Sequence, residues 1–65
     1  MPRAILALAW SPTGAATCIE VDDSNARKGD GTECDKMLDE LTRKYGEAKI
    51  HVSDGLEVGL LVYEW

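Results

Sequence analysis

The thiol and imidazole chemistry open to this 65-residue chain rests on three side chains: Cys18, Cys34 and His51. A structural zinc site takes four ligands in a tetrahedron and usually starts from a closely spaced cysteine pair. Here the cysteines stand far apart and no fourth ligand accompanies them. Thiol catalysis needs a base within hydrogen-bond reach, an orienting acid and a cleft closed to water. A chain this short offers no such cleft. We therefore expect no catalytic residue, no metal, no cofactor and no enzymatic activity. Two cysteines can form one bridge. The arrangement derived below puts them on opposite sides of a sheet, so it predicts free thiols.

Two further stretches imitate ligand sites. Asp22 and Glu33 have the spacing of a calcium loop, but Ser24, Ala26 and Arg27 occupy positions that need oxygen ligands and a turn glycine. Gly29-Asp30-Gly31-Thr32 leads into a helix, as a phosphate site would. It lacks the lysine of such loops, and Asp30 repels an anion. Glu47-Ala48-Lys49 resembles the end of a metal-dependent nuclease motif, in a chain too short for that core.

Charge is the remaining chemical signal. Twelve acids face seven bases, for a net charge of −5. Residues 20–40 account for all of it: Glu20, Asp22, Asp23, Asp30, Glu33, Asp35, Asp39 and Glu40 against Arg27, Lys28 and Lys36. Such a field repels nucleic acid and steers a protein toward a basic partner surface. It also keeps a small domain soluble and monomeric. The predicted partner-binding set is Glu20, Asp22, Asp23, Asp30, Glu33, Asp39 and Glu40, gathered at one end of the molecule.

The element that must carry much of this charge is an amphipathic helix over residues 32–46. Cys34, Met37, Leu38, Leu41 and Tyr45 form one stripe of a 3.6-residue period. Thr32 is the predicted N-cap, with Asp30 as the alternative. Glu33 and Asp35 suit the positive end of the helix dipole, and Arg43 and Lys44 the negative end. Gly46 is the predicted stop. Asp39 with Arg43, and Glu40 with Lys44, are i,i+4 pairs on the outer face.

Strands flank the helix. Residues 4–10 read as a buried strand and 15–22 as its hairpin partner, joined by turn residues 11–14. Residues 23–31 read as a polar loop. Residues 47–53 alternate cleanly, Asp54-Gly55 is a hairpin signal, and 57–64 form the last strand. The first and last strands are apolar on both faces, which suits the middle of a sheet. The expected fold class is therefore α+β, a single domain of ββαββ order. It has a four-stranded mixed sheet with one helix on one face, and the first and last strands central and parallel. Toward the helix we expect Leu6, Leu8, Ile19, Val21, Ala48, Ile50, Val52, Val58, Leu60 and Val62. Toward the open face we expect Ile5, Ala7, Ala9, Cys18, Glu20, Lys49, His51, Leu61 and Tyr63.

This order resembles the β-grasp topology of small immunoglobulin-binding bacterial domains and ubiquitin-like proteins. The chain ends Tyr63-Glu64-Trp65, without the Gly-Gly of the conjugated carriers. It has two cysteines where ferredoxins of that fold need four. In size and acidity the chain is also similar to the phage-encoded inhibitors of CRISPR systems. That resemblance implies an inhibitor docking on a basic surface of a nucleic-acid-handling complex, such as a type I CRISPR effector subunit, by steric or charge-mimicking block. The alternatives are a self-associating scaffold module using the open sheet face, and a small metal or thiol enzyme. Arg3, the apolar run 4–10 and Ala15-Ala16-Thr17 imitate a secretion signal. Pro12 and Gly14 follow the run directly, and cleavage would remove a strand. We expect a cytoplasmic monomer, with no direct nucleic acid or membrane partner.

Overall fold

A computed structural model of the chain describes residues 3–10, 16–23, 25–54 and 59–65. Among these residues the elements run β1 (Ala4–Trp10), β2 (Ala16–Asp22), β3 (Ala26–Asp30), α1 (Thr32–Tyr45), β4 (Lys49–Asp54) and β5 (Gly59–Glu64). The strands form one sheet in the order β3-β2-β1-β5-β4. Every neighbouring pair is antiparallel.

The four-stranded mixed sheet is thus corrected to five antiparallel strands with one helix. The first and last strands do lie side by side at the centre, with Leu6 opposite Tyr63 and Leu8 opposite Leu61. Their direction is opposite to the expectation, and β3 is the reason. Residues 26–30 are a strand and not a loop, which adds one chain reversal before the helix. Everything after that reversal is flipped, so β5 returns antiparallel to β1. The β-grasp arrangement, with its parallel central pair, does not apply.

β3 has no apolar alternation, since its sequence is Ala-Arg-Lys-Gly-Asp. It is held by pairing, with Gly29 opposite Cys18 and Arg27 opposite Glu20, and by what lies above it. A Cβ on Gly29 would stand 2.9 Å from Met37 Cε and 3.2 Å from Glu33 Cβ. Only the lack of a side chain lets α1 pass this close to the edge strand.

The stripe predicted for α1 is the face it buries. Cys34, Met37 and Leu41 join Ala4, Leu6 and Cys18 in the core, with Leu38 and Tyr45 packed against it. The start differs from expectation. Gly31, at φ +57°, is the N-cap, and no side chain caps the helix. Thr32 is its first residue. The Glu33 carboxylate accepts the Asp30 N–H at 3.4 Å. Gly46, at φ +89°, ends the helix as predicted and donates its N–H to the Thr42 carbonyl at 2.8 Å. The Gly46 carbonyl in turn accepts the Trp65 indole N–H at 2.8 Å, and the indole ring stacks on Tyr63 with centroids 6.1 Å apart.

The register sorts the strand residues into two faces. Leu6, Leu8, Cys18, Glu20, Arg27, Gly29, Leu61, Tyr63, Ile50 and Val52 share the helix side. The opposite face carries Ile5, Ala7, Ala9, Thr17, Ile19, Val21, Lys28, Leu60, Val62, Glu64, Lys49 and His51. Leu6, Leu8, Ile5, Ala7, Ala9, Lys49 and His51 lie as expected. Ile19, Val21, Leu60 and Val62 do not face the helix, and Cys18, Glu20, Leu61 and Tyr63 do. On β5 both sets are apolar, so alternation cannot choose a face, and pairing with β1 decides. On β2 the choice is made by a sulfur bond and an ion pair, described next. Ala48 precedes β4 in a non-strand segment and is half-buried. The turn expected at 11–14 lies outside the described residues, as do Gly55 of the Asp54-Gly55 hairpin signal and Glu57 and Val58 of the expected last strand.

Candidate functional site

β2 presents Cys18 to the underside of α1, and the first turn of α1 presents Cys34 to β2. The two form a disulfide across a Cα–Cα distance of 5.8 Å, so the predicted free thiols are corrected. Both are buried, at 3% and 1% exposure. Met37 Sδ lies 3.8 Å from Cys18 Sγ, a sulfur–sulfur packing contact. Closing a loop of this length stabilises the fold by about 3 kcal/mol.

Glu20, two residues along β2 on the same side, is 3% exposed. Its carboxylate takes a forked pair of bonds from the Arg27 guanidinium: Nη2 lies 2.7 Å from Oε2 and 3.0 Å from Oε1, and Nε lies 3.2 Å from Oε1. Nη2 also reaches Glu40 Oε2 at 3.2 Å. Hydrogen bonds from Arg27 to Glu20 first, and to Glu40 second, push the guanidinium pKa further above its ordinary value. A buried carboxylate needs such a partner. Glu20 is therefore an internal counter-ion and is removed from the partner-binding set.

The other acids are spread out. Asp30 pairs with Thr17 at one end of β2, and Asp22 pairs with Ala4 at the other. Strand rise puts those ends about 17 Å apart. Asp30 and Glu33 sit at the start of α1. Asp39 and Glu40 sit midway along it. Asp22 and Asp23 lie near its end, where their charges help to raise the Lys44 pKa after the larger effect of the Tyr45 hydroxyl. The expected gathering at one end is replaced by a band along α1 and the β2–β3 hairpin. Part of that band is neutralised internally. Arg43 binds Asp39 at 3.2 Å, as predicted. Glu40 turns to Arg27, while the Lys44 ammonium lies 5.1 Å from the Tyr45 ring centroid.

His51 does not join the cysteines. It lies on the open face of β4, with Nε2 3.1 Å from Glu64 Oε2, while Cys18 and Cys34 lie beneath the helix on the other side.

The open face was expected, but not with these residues: Ile19, Val21, Leu60 and Val62 stand on it in place of Cys18, Glu20, Leu61 and Tyr63. The register arranges it as three rows across five strands. One row reads Ala26, Val21, Ile5, Glu64, Lys49. The next reads Lys28, Ile19, Ala7, Val62, His51. The third reads Asp30, Thr17, Ala9, Leu60, Ser53. In the central three columns only Glu64 and Thr17 are polar. Ile19, Val21 and Leu60 are 48%, 47% and 36% exposed. The signal that would have revealed this face was the pairing of Glu20, in mid-strand between Ile19 and Val21, with Arg27 in the next segment. That pair fixes which side of β2 is inside.

No helix among the described residues is long and apolar enough to cross a membrane. Compared with known protein families, curated proteins and solved structures, the chain matches none.

Proposed function

We propose that the chain is a non-catalytic protein-binding module whose contact surface is the open face of its sheet. The observation that carries this reading is the apolar block Ile5, Ala7, Ala9, Ile19, Val21, Leu60 and Val62, flanked by Lys28 and Asp30 on one edge and Lys49 and His51 on the other. An apolar centre inside a charged rim is the anatomy of a protein interface, and a patch of this kind on a small domain marks a contact site. Ile19→Lys and Val62→Lys change outward side chains and leave the core intact. Partners captured by the wild type and lost by both variants support the reading. Partners kept by both variants place binding elsewhere and overturn it.

A second reading is favoured by Asp22, Asp23, Asp30 and Glu33, which take no ion pair among the described residues. These acids would dock on a basic surface, as an inhibitor blocking a nucleic-acid-handling complex such as a type I CRISPR effector subunit. In that reading the protein works in the cytoplasm, host cytoplasm if phage-encoded. The Cys18–Cys34 disulfide weighs against that compartment, because reducing cytosol does not maintain such bonds. Binding to a purified effector should then weaken steeply with salt. It should also be lost when Asp22, Asp23 and Asp30 become Asn and Glu33 becomes Gln. Binding unchanged by both removes this reading.

A further inference from the structure

We infer that the trough beside α1, on the helix side of β5 and β4, receives a basic amphipathic helix from another protein. This is a second contact surface, on the opposite side of the sheet from the open face and independent of it.

α1 lies over β1, β2 and β3 and leaves β5 and β4 without a roof. The helix-side residues there include Leu61 and Tyr63 on β5 and Ile50 and Val52 on β4. Ile50 and Val52 have the highest exposure of the large apolar residues described, 57% and 61%. Both tryptophans of the chain border the same strip. Trp65 closes one end, stacked on Tyr63 and bonded to Gly46. Trp10 closes the other, on the same side of β1 as Leu6 and Leu8. Its ring lies against Gly59 of β5, where a Cβ would stand 2.5 Å from Trp10 Cε2. The missing side chain is what lets the indole reach across to β5. Tryptophan and tyrosine commonly anchor protein contacts, and here they are set in place by the chain's own packing.

Shape and charge choose the occupant. Two strands are about 10 Å wide, the width of one helix, and the six residues of β5 run about 20 Å, the length of α1 itself. A helix laid there completes the layer that α1 half fills. The wall of the trough is the flank of α1 that turns away from β3. Glu40 leans toward Arg27 on β3, so the opposite flank carries Asp35, Leu38 and Thr42. Leu38 is packed against the core. Asp35 is exposed and takes no ion pair among the described residues. With a net charge of −5 on the chain, that wall selects a helix with bases beside its apolar stripe. A second copy cannot supply it, because the stripe of α1 is already buried on its own sheet.

The probe is a tryptophan-free leucine–lysine peptide of about 14 residues with leucines at helical spacing. It is titrated into the full oxidised chain while the emission of Trp10 and Trp65 is followed. A contact of this width is of transient size, so a saturable blue shift is expected with a Kd of about 10–100 µM. Ile50→Glu and Val52→Glu should each weaken binding at least about 10-fold with unchanged circular dichroism, although an added acid would strengthen a purely electrostatic attraction. Asp35→Asn should weaken it about 2–5-fold at low salt. Val62→Glu, on the open face, should not weaken it. No saturation below about 1 mM, or binding indifferent to Ile50→Glu and Val52→Glu, overturns the trough. Loss of binding in Val62→Glu moves the peptide to the open face, which overturns the trough and leaves the open-face reading standing. Equal affinity for a peptide of the same composition with leucines at every second position makes the guest a strand on the β4 edge and overturns the helix.

Discussion

Leu6, Cys18 and Glu20, on strands beneath α1, are at most 3% exposed, whereas Ile50 and Val52, on the same side of the same sheet, are 57% and 61% exposed. The difference comes from reach. A helix is about 10 Å across, and strands lie about 4.8 Å apart. One helix therefore roofs about three strands. α1 lies over β1, β2 and β3 and stops short of β4 and β5. The covered half is held by a disulfide, a forked ion pair and a packed core. The uncovered half is held by its ladder and by the stacked Tyr63 and Trp65. On β1 and β2 the residues that stabilise the fold and those left open alternate along the same strands, one set on each face.

Mutation can break or sharpen that contrast. The largest effect is expected at Leu6, which is fully buried. Leu6→Ala should remove about 3–4 kcal/mol in urea unfolding, against less than about 0.5 kcal/mol for Val52→Ala. Equal losses would mean that the two halves are held alike. Next comes the clamp. Reduction, or Cys18→Ala with Cys34→Ala, should remove about 3 kcal/mol, read as a melting temperature lower by about 12–24 °C. A shift of a degree or two would show that packing alone holds α1 to β2.

The ion pair should follow. Arg27→Ala leaves the Glu20 carboxylate buried without a partner and should lower the melting temperature, and adding Glu20→Gln should recover part of the loss. No recovery would mean that Arg27 acts only through Glu40. Arg27 has a raised pKa in the fold, so its stabilisation is present at every pH below its ordinary value and is lost only above it. Across about pH 5–9 its own titration gives no slope. The smallest effect is expected at Gly31, whose φ of +57° disfavours a side chain. Gly31→Ala should lose about 1 kcal/mol, and a neutral result would show that the helix start shifts by a residue.

Much of this architecture was readable in the chain. The stripe of α1, the stop at Gly46, the alternation of β4 and the central placement of β1 and β5 follow from apolar spacing and one glycine. The direction of β5 did not follow, because β3 has the composition of a loop and forms only when its backbone finds β2 and its Gly29 finds Met37. The side of β2 that faces inward was also hidden. Ile19 and Val21 read as core, and only pairing partners elsewhere in the chain draw Cys18 and Glu20 inward instead. The expected open face inherited that error, carrying Cys18 and Glu20 where the fold puts Ile19 and Val21.

By itself the sequence determined the local terms: where the helix runs, which strands are apolar throughout, and where the charge lies along the chain. Tertiary structure decided strand direction, which face of each strand is covered, and whether the thiols meet. The reason is that period and composition act between near neighbours. The side on which a strand is buried depends on its partner across the sheet and on how far a single helix extends over it.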